Sequence, residues 1–148
     1  MKLAALLLLA ACSSSARPDA NAIPTDRAKA LLIDRNWLDV WPKSRDEHLH
    51  VYRFVPSMGG GVFQDRTLFK GTFELFSFSV KDDFITFDLH QTRDKVTSRY
   101  RIEKVDGPKP FDLKLTISDD PRGPHVYFGE RGQRDLDGSV LEAELATP

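Results

Sequence analysis

From Asn36 to Phe128 the apolar and polar positions alternate with a period of two, the rhythm of strands that bury one face. The cleanest case sets Ile85, Phe87 and Leu89 against Thr86, Asp88 and His90. Ser98, Tyr100 and Ile102 then oppose Arg99, Arg101 and Glu103, and Phe111, Leu113, Leu115 and Ile117 oppose Asp112, Lys114, Thr116 and Ser118. Earlier segments over 36–41, 49–55, 61–66 and 68–80, and a final one around Val126 and Phe128, bring the count to about eight short strands. Within 68–80 the apolar positions shift from odd to even at Leu75-Phe76, which predicts a bulge or bend. The connections are short and polar; Ser57 to Gly61 reads as a turn able to take positive φ. Before the strands, Ala28, Leu31 and Leu32 fall at i, i+3, i+4 behind Pro24-Thr25-Asp26, predicting a short amphipathic helix with Thr25 as its N-cap.

This pattern predicts an all-β fold: a small antiparallel up-and-down barrel, or a strongly curved meander, preceded by a short helix. Eight strands suffice to close a barrel whose interior holds side chains or one small ligand. The domain is expected over 24–131. The polar stretch 132–148 reads as a loose tail, in which Ser139 to Leu145 has the makings of a brief helix or strand.

The N-terminus carries a different signal. Lys2 precedes an apolar run from Leu3 to Ala11, which as a helix covers about 14 Å, too short to span a bilayer core of about 30 Å. It reads as the apolar core of a secretory signal. Leu9-Ala10-Ala11-Cys12 resembles the bacterial lipobox, and Cys12 is the only cysteine in the chain. The resemblance implies a signal peptide over 1–11, lipidation of Cys12 and a flexible tether over 12–23. Ser13 after the cysteine is similar to the outer-membrane sorting pattern, so the expected location is the cell envelope, lipid-anchored on the outer membrane. Two or three acyl chains hold such a protein stably, at about 0.8 kcal/mol per buried methylene.

Composition narrows the rest. The charges nearly cancel, with 21 basic and 22 acidic residues, so no basic excess points to nucleic acid. With no cysteine left for a disulfide, stability rests on burial. All ten Phe lie between Phe54 and Phe128, which locates the core.

A short helix before a Trp-bearing first strand, an up-and-down meander, and Arg131 just past the last strand resemble the lipocalin-like (calycin) barrels. That resemblance implies that Trp37 plugs the barrel base and Arg131 stacks over it by cation–π contact. One position departs: the family's Gly two residues before that Trp is Arg35 here.

No catalytic motif emerges. His48 and His50 share a strand face about 7 Å apart and would need a third ligand, such as Glu47, His90 or His125, to hold a metal; two half-exposed histidines explain them as well, and no metal or other cofactor is predicted. Asp82-Asp83 and Asp119-Asp120 suit turns, and Met58-Gly59-Gly60-Gly61 lacks the Lys and helix of a phosphate loop. Arg53 has the parity of Leu49, Val51 and Val55; were that face interior, it would be a buried charge and a ligand anchor. The leading expectation is a non-enzymatic binder of a small apolar or amphipathic molecule inside the barrel, lined by Phe54, Phe76, Phe87, Tyr100 and Leu113. The alternative is an envelope interaction protein with a packed barrel that holds a protein partner.

Overall fold

A computed structural model describes residues 19–147. The lipobox, Cys12 and most of the expected tether lie outside the described residues.

Eight strands close into an antiparallel barrel in simple sequence order: β1 Asn36–Leu38, β2 Leu49–Val55, β3 Gly60–Arg66, β4 Gly71–Lys81, β5 Phe84–Leu89, β6 Asp94–Lys104, β7 Leu113–Ile117 and β8 Val126–Gly129. The up-and-down barrel predicted by the alternation is the fold. Helix α1, Thr25–Leu32, buries Ala28 and Leu32 across the end where β2 finishes, and Ile33 bridges Phe54 there. Thr25 is its first helical residue and Pro24 takes the cap position without a side-chain bond. No helix of the described residues is long and apolar enough to cross a membrane.

The interior is filled by aromatic rings. Tyr52 sits among Phe54, Phe63, Phe76, Phe87 and Tyr127 at centroid distances of 4.8–6.0 Å. At the end opposite α1 the β7–β8 turn folds inward. Its Asp120 carboxylate is buried and accepts from the Tyr52 hydroxyl at 3.0 Å and the Tyr127 hydroxyl at 2.6 Å. Arg122 in the same turn pairs with Glu74 and lies 5.7 Å from the Phe63 ring centroid. Both ends of the barrel are therefore stoppered, one by the apolar face of a helix and one by a buried polar cluster.

Three expectations change. Strand β4 pairs without interruption on both sides, Phe76 opposite Gly61 and Leu89, so there is no bulge at Leu75-Phe76. The parity shift arises because Phe76 and Phe78 face inward while Phe73 and Leu75 are apolar residues on the outer face. Gly60 and Gly61 belong to β3 rather than to the turn. A Cβ on Gly60 would collide with the Phe76 carbonyl oxygen and one on Gly61 with the Phe76 ring, so close approach, rather than a bend, requires glycine.

The third change is the C-terminal tail, which is structured. Helix α2, Ser139–Ala146, places Leu141 and Leu145 one turn apart, and both bury against Leu38, Leu49, Val51 and Phe111 on the outside of the barrel. Asp135 anchors it. The carboxylate accepts from Asn36 and from the backbone N–H groups of Gly138, Val140 and Leu141. Burial works to raise the Asp135 carboxyl, but these bonds, with the Arg53 guanidinium nearby, outweigh it and hold the group below the usual carboxylate range.

Leu141→Ala is expected to cost about 2–4 kcal/mol in urea-induced unfolding, whereas a loose tail would leave the midpoint unchanged. The three tyrosines give a second test. Burial raises all of them, with Asp120 adding to the effect at Tyr52 and Tyr127 and Asp83 at Tyr100, which is pushed up to about 12. Groups whose folded pKa is raised stabilise fully below the unfolded value of about 10 and lose that contribution above it. Tyrosinate absorbance should therefore stay absent to about pH 11 and then rise together with unfolding; early titration of any tyrosine would contradict the buried arrangement.

Candidate functional site

The residues expected to line a ligand cavity are core residues instead. Phe54, Phe76, Phe87, Tyr100 and Leu113 all belong to the buried interior cluster and are at most 3% exposed. The rings of Phe54, Phe76 and Phe87 lie 5.6–6.2 Å from one another, centroid to centroid. Bulk phenyl groups from three neighbouring regions of the wall meet on the axis and occupy the space an interior ligand would need.

Arg53 lies on the other side of the wall. It alternates with Tyr52 and Phe54, which point inward, so its side chain joins Val51 and Val55 on the outer face. It is nevertheless 5% exposed, because the C-terminal segment crosses over it. One terminal nitrogen donates to the Asp135 carbonyl, and the other would be 2.6 Å from a Cβ on Gly138. Its Nε has no partner, and it forms no ion pair among the described residues. The Asp135 and Asp137 carboxylates, which accept from backbone N–H groups, lie near enough to feel its charge without forming an ion pair with it. Arg53 is thus buried although the face it shares with Val51 and Val55 is the outer one, not the interior.

Around Arg53 the outer face is apolar. Register places Val62 opposite Arg53 on β3 and Leu75 opposite Val62 on β4, with Gln64 opposite Phe73 one row along. Met58, Phe73 and Leu75 are 73%, 65% and 54% exposed. Together with Val55 and Gly59 to Gly61 they wall a half-enclosed hollow of about 370 Å³, with Arg53 on one side and His90 on the other. The glycines leave bare backbone as part of its floor, directly over the Phe76 ring. Contiguous apolar exposure of this kind is uncommon on the surface of a small folded domain. Its sequence signal was the two-sided apolarity of β4.

The other candidates disperse. His50 pairs with Asp39 at 2.6 Å and His48 with Asp65 at 3.1 Å, while Glu47 accepts from the Lys43 N–H, His90 meets the Ser77 hydroxyl and His125 turns to the Asp120 N–H. No group of three or more His, Cys, Asp or Glu among the described residues could hold a metal ion. Arg99 and Arg101 are exposed on the outer face, Arg99 paired with Asp83 and Arg101 with Asp19 and the buried Glu103.

Trp37 is fully buried, and its indole N–H donates to the Leu32 carbonyl at the end of α1. Arg131 does not stack on it. Asp112 accepts from the Arg131 backbone N–H at 2.6 Å and lies 3.6 Å from its guanidinium, and the cation–π contacts of the described residues are at Phe63, Phe69 and Phe84. The arginine that ties the helix to the last strand is Arg35, which donates to the carbonyls of Leu31 and Glu130.

The outer strip is expected to be dispensable for folding. Leu75→Asp should shift stability by no more than about 0.5 kcal/mol, because the side chain is over half exposed. Gly61→Ala should cost about 1–3 kcal/mol by overpacking Phe76. Parallel thermal melts check both; a large loss from Leu75→Asp would mean that the strip is structural. Set against known proteins, the chain matches no family model, no curated protein and no solved structure.

Proposed function

We propose that this chain is a lipid-anchored protein of the bacterial cell envelope that binds its target, without catalysing a reaction, on the outer face of a packed lipocalin-like barrel. The anchor would be Cys12, in the lipobox, carrying the domain on the outer membrane through the tether. The observation that carries the binding assignment is the inversion of the barrel. The interior that would hold a ligand is taken up by Phe54, Phe76 and Phe87, and exposed apolar side chains stand outside, Phe73 and Leu75 on β4 and Met58 in the turn before β3. A small amphipathic molecule and a protein partner in the envelope both suit such a strip. The exposure of Phe73 and Leu75, which the fold does not need, favours a surface selected for contact.

Two measurements test the reading. Cys12→Ser should release the protein from sedimented envelopes and remove the acyl mass. A variant that still sediments would remove the anchor. A photo-crosslinking phenylalanine analogue in place of Phe73 should give an adduct in intact cells, and the same analogue in place of Thr97, on the outer face of β6, should give none. Equal labelling at both positions, or none at Phe73, would overturn binding through the outer strip.

A further inference from the structure

We propose that β4 binds an extended segment of a partner protein by strand addition, along the stretch 71–75 that β5 does not reach. This rests on the outer-face reading and names the kind of target that face takes.

The observation is a step in the register. Strand β4 is paired along its whole length, but to β3 over 71–76 and to β5 over 76–81, with Phe76 alone opposite both. Strand β5 ends at Leu89, and the chain then turns through 90–93 into β6. The ring of strands closes, yet over five residues β4 has a neighbour on one side only.

The hairpin before β4 fixes where its free groups point. The Thr67 N–H donates to the Lys70 carbonyl, so that opposed pair is hydrogen-bonded. Alternation along an antiparallel ladder then makes hydrogen-bonded pairs of Asp65 with Thr72 and Phe63 with Glu74. The N–H and C=O groups of Gly71, Phe73 and Leu75 therefore point away from β3, to the side where β5 is missing. None of the three has another backbone partner among the described residues. All three residues are exposed, as is the turn 90–93 that would otherwise cover them. Three donors and three acceptors thus stand in a row without a ladder.

Natural proteins blunt such an edge with Pro, Lys or a bulge. This one carries none of them over 71–75. Its one charged residue, Glu74, is paired with Arg122 at the barrel mouth. Phe73 and Leu75 stand on the outer face, and their exposure follows from the missing neighbour on one side.

The length and the closed end of the slot choose the occupant. Five residues of strand span about 17 Å, and Leu89 holds the next place, opposite Phe76. A second copy offering the same stretch antiparallel would bring its own Lys70 onto the place of Leu89. A segment extended for about five residues and then free to leave the line has no such conflict. Main-chain bonds would supply its affinity. Every second side chain would be apolar, beside Phe73 and Leu75 over the hollow that they wall with Met58 and His90.

The probe is the acetylated and amidated heptapeptide Lys-Val-Thr-Val-Thr-Val-Lys. Its control is the same peptide N-methylated at the three valines, which blocks the bonds to β4. Each is titrated into the full chain carrying Cys12→Ser, with amide NMR and hydrogen exchange as readouts. In the free chain the Phe73 and Leu75 amides should exchange at least tenfold faster than those of Thr72 and Glu74. The peptide should saturate with a Kd below about 1 mM and slow exchange at Phe73 and Leu75, and the methylated peptide should bind at least tenfold more weakly. Phe73→Pro removes an edge donor without touching a bond to β3, and should weaken the peptide at least tenfold. If that variant does not fold, the methylated control and Leu75→Asp, which should also weaken binding, decide alone. Slow exchange at Phe73 and Leu75 in the free chain, no saturable binding, protection elsewhere, or indifference to methylation would overturn the proposal. A dimer that protects the same amides without peptide would put a second copy on the edge and end it. A phospholipid adduct at Phe73 in cells with no peptide binding would also end it, and leave the outer-face reading standing. No adduct and no peptide binding would end both.

Discussion

The barrel depends on closing a short seam. Strand β1 offers three residues, and it meets β8 at one registered pair, Leu38 with Phe128. A closed sheet has no free edge, but so few pairs cannot hold it alone. The chain clamps the seam from outside. Asp135 takes the Asn36 amide and three backbone donors, its own N–H returns to the Asp34 carbonyl, and Arg134 pairs with Asp34. Leu141 and Leu145 then cover Leu38 and its neighbours. Arg35 adds a tie from the end of α1 to Glu130. Much of the C-terminal segment is thus spent on completing the first strand.

Closure has a consequence for chemistry. An eight-stranded barrel is only wide enough for side chains, and this one supplies large ones. Phenyl and phenol rings from β2, β3, β4, β5 and β8 meet near the axis, and Asp120 satisfies the two hydroxyls that come with them. Filling the middle with aromatics leaves no interior space, and the exposed apolar side chains stand on the outer face. The same clamp that seals the seam also buries Arg53, because the segment held by Asp135 crosses that arginine. A stabilising device and a charged wall of the outer hollow are therefore one piece of structure.

Particular residues show what the alternation could and could not convey. Ile85, Phe87 and Leu89 behave as their period says, since β5 has one buried face. Strand β2 is buried on both faces, and its mixed pattern of Leu49, Val51, Tyr52, Phe54 and Val55 was a sign that something covers its outside. That cover, α2, is only eight residues long, and its Leu141 and Leu145 are too few to announce an amphipathic helix against a polar background. In β4 the apolar residues on both faces imitate a bulge, because a local break and an exposed apolar face leave the same trace in one dimension.

Periodicity and turn chemistry by themselves determined the strand order, the leading helix and the aromatic core, because strand period, turn residues and helix spacing act over a few neighbours. The resemblance of Leu9-Ala10-Ala11-Cys12 to a lipobox is likewise local, complete in four residues. Only the tertiary structure decided which face of β2 is inside, that Arg53 is buried beneath a segment more than eighty residues away, and that Phe73 and Leu75 share a wall with it. Those facts depend on how the sheet curls and what crosses its outside, and long-range packing of that kind has no period for a sequence to display.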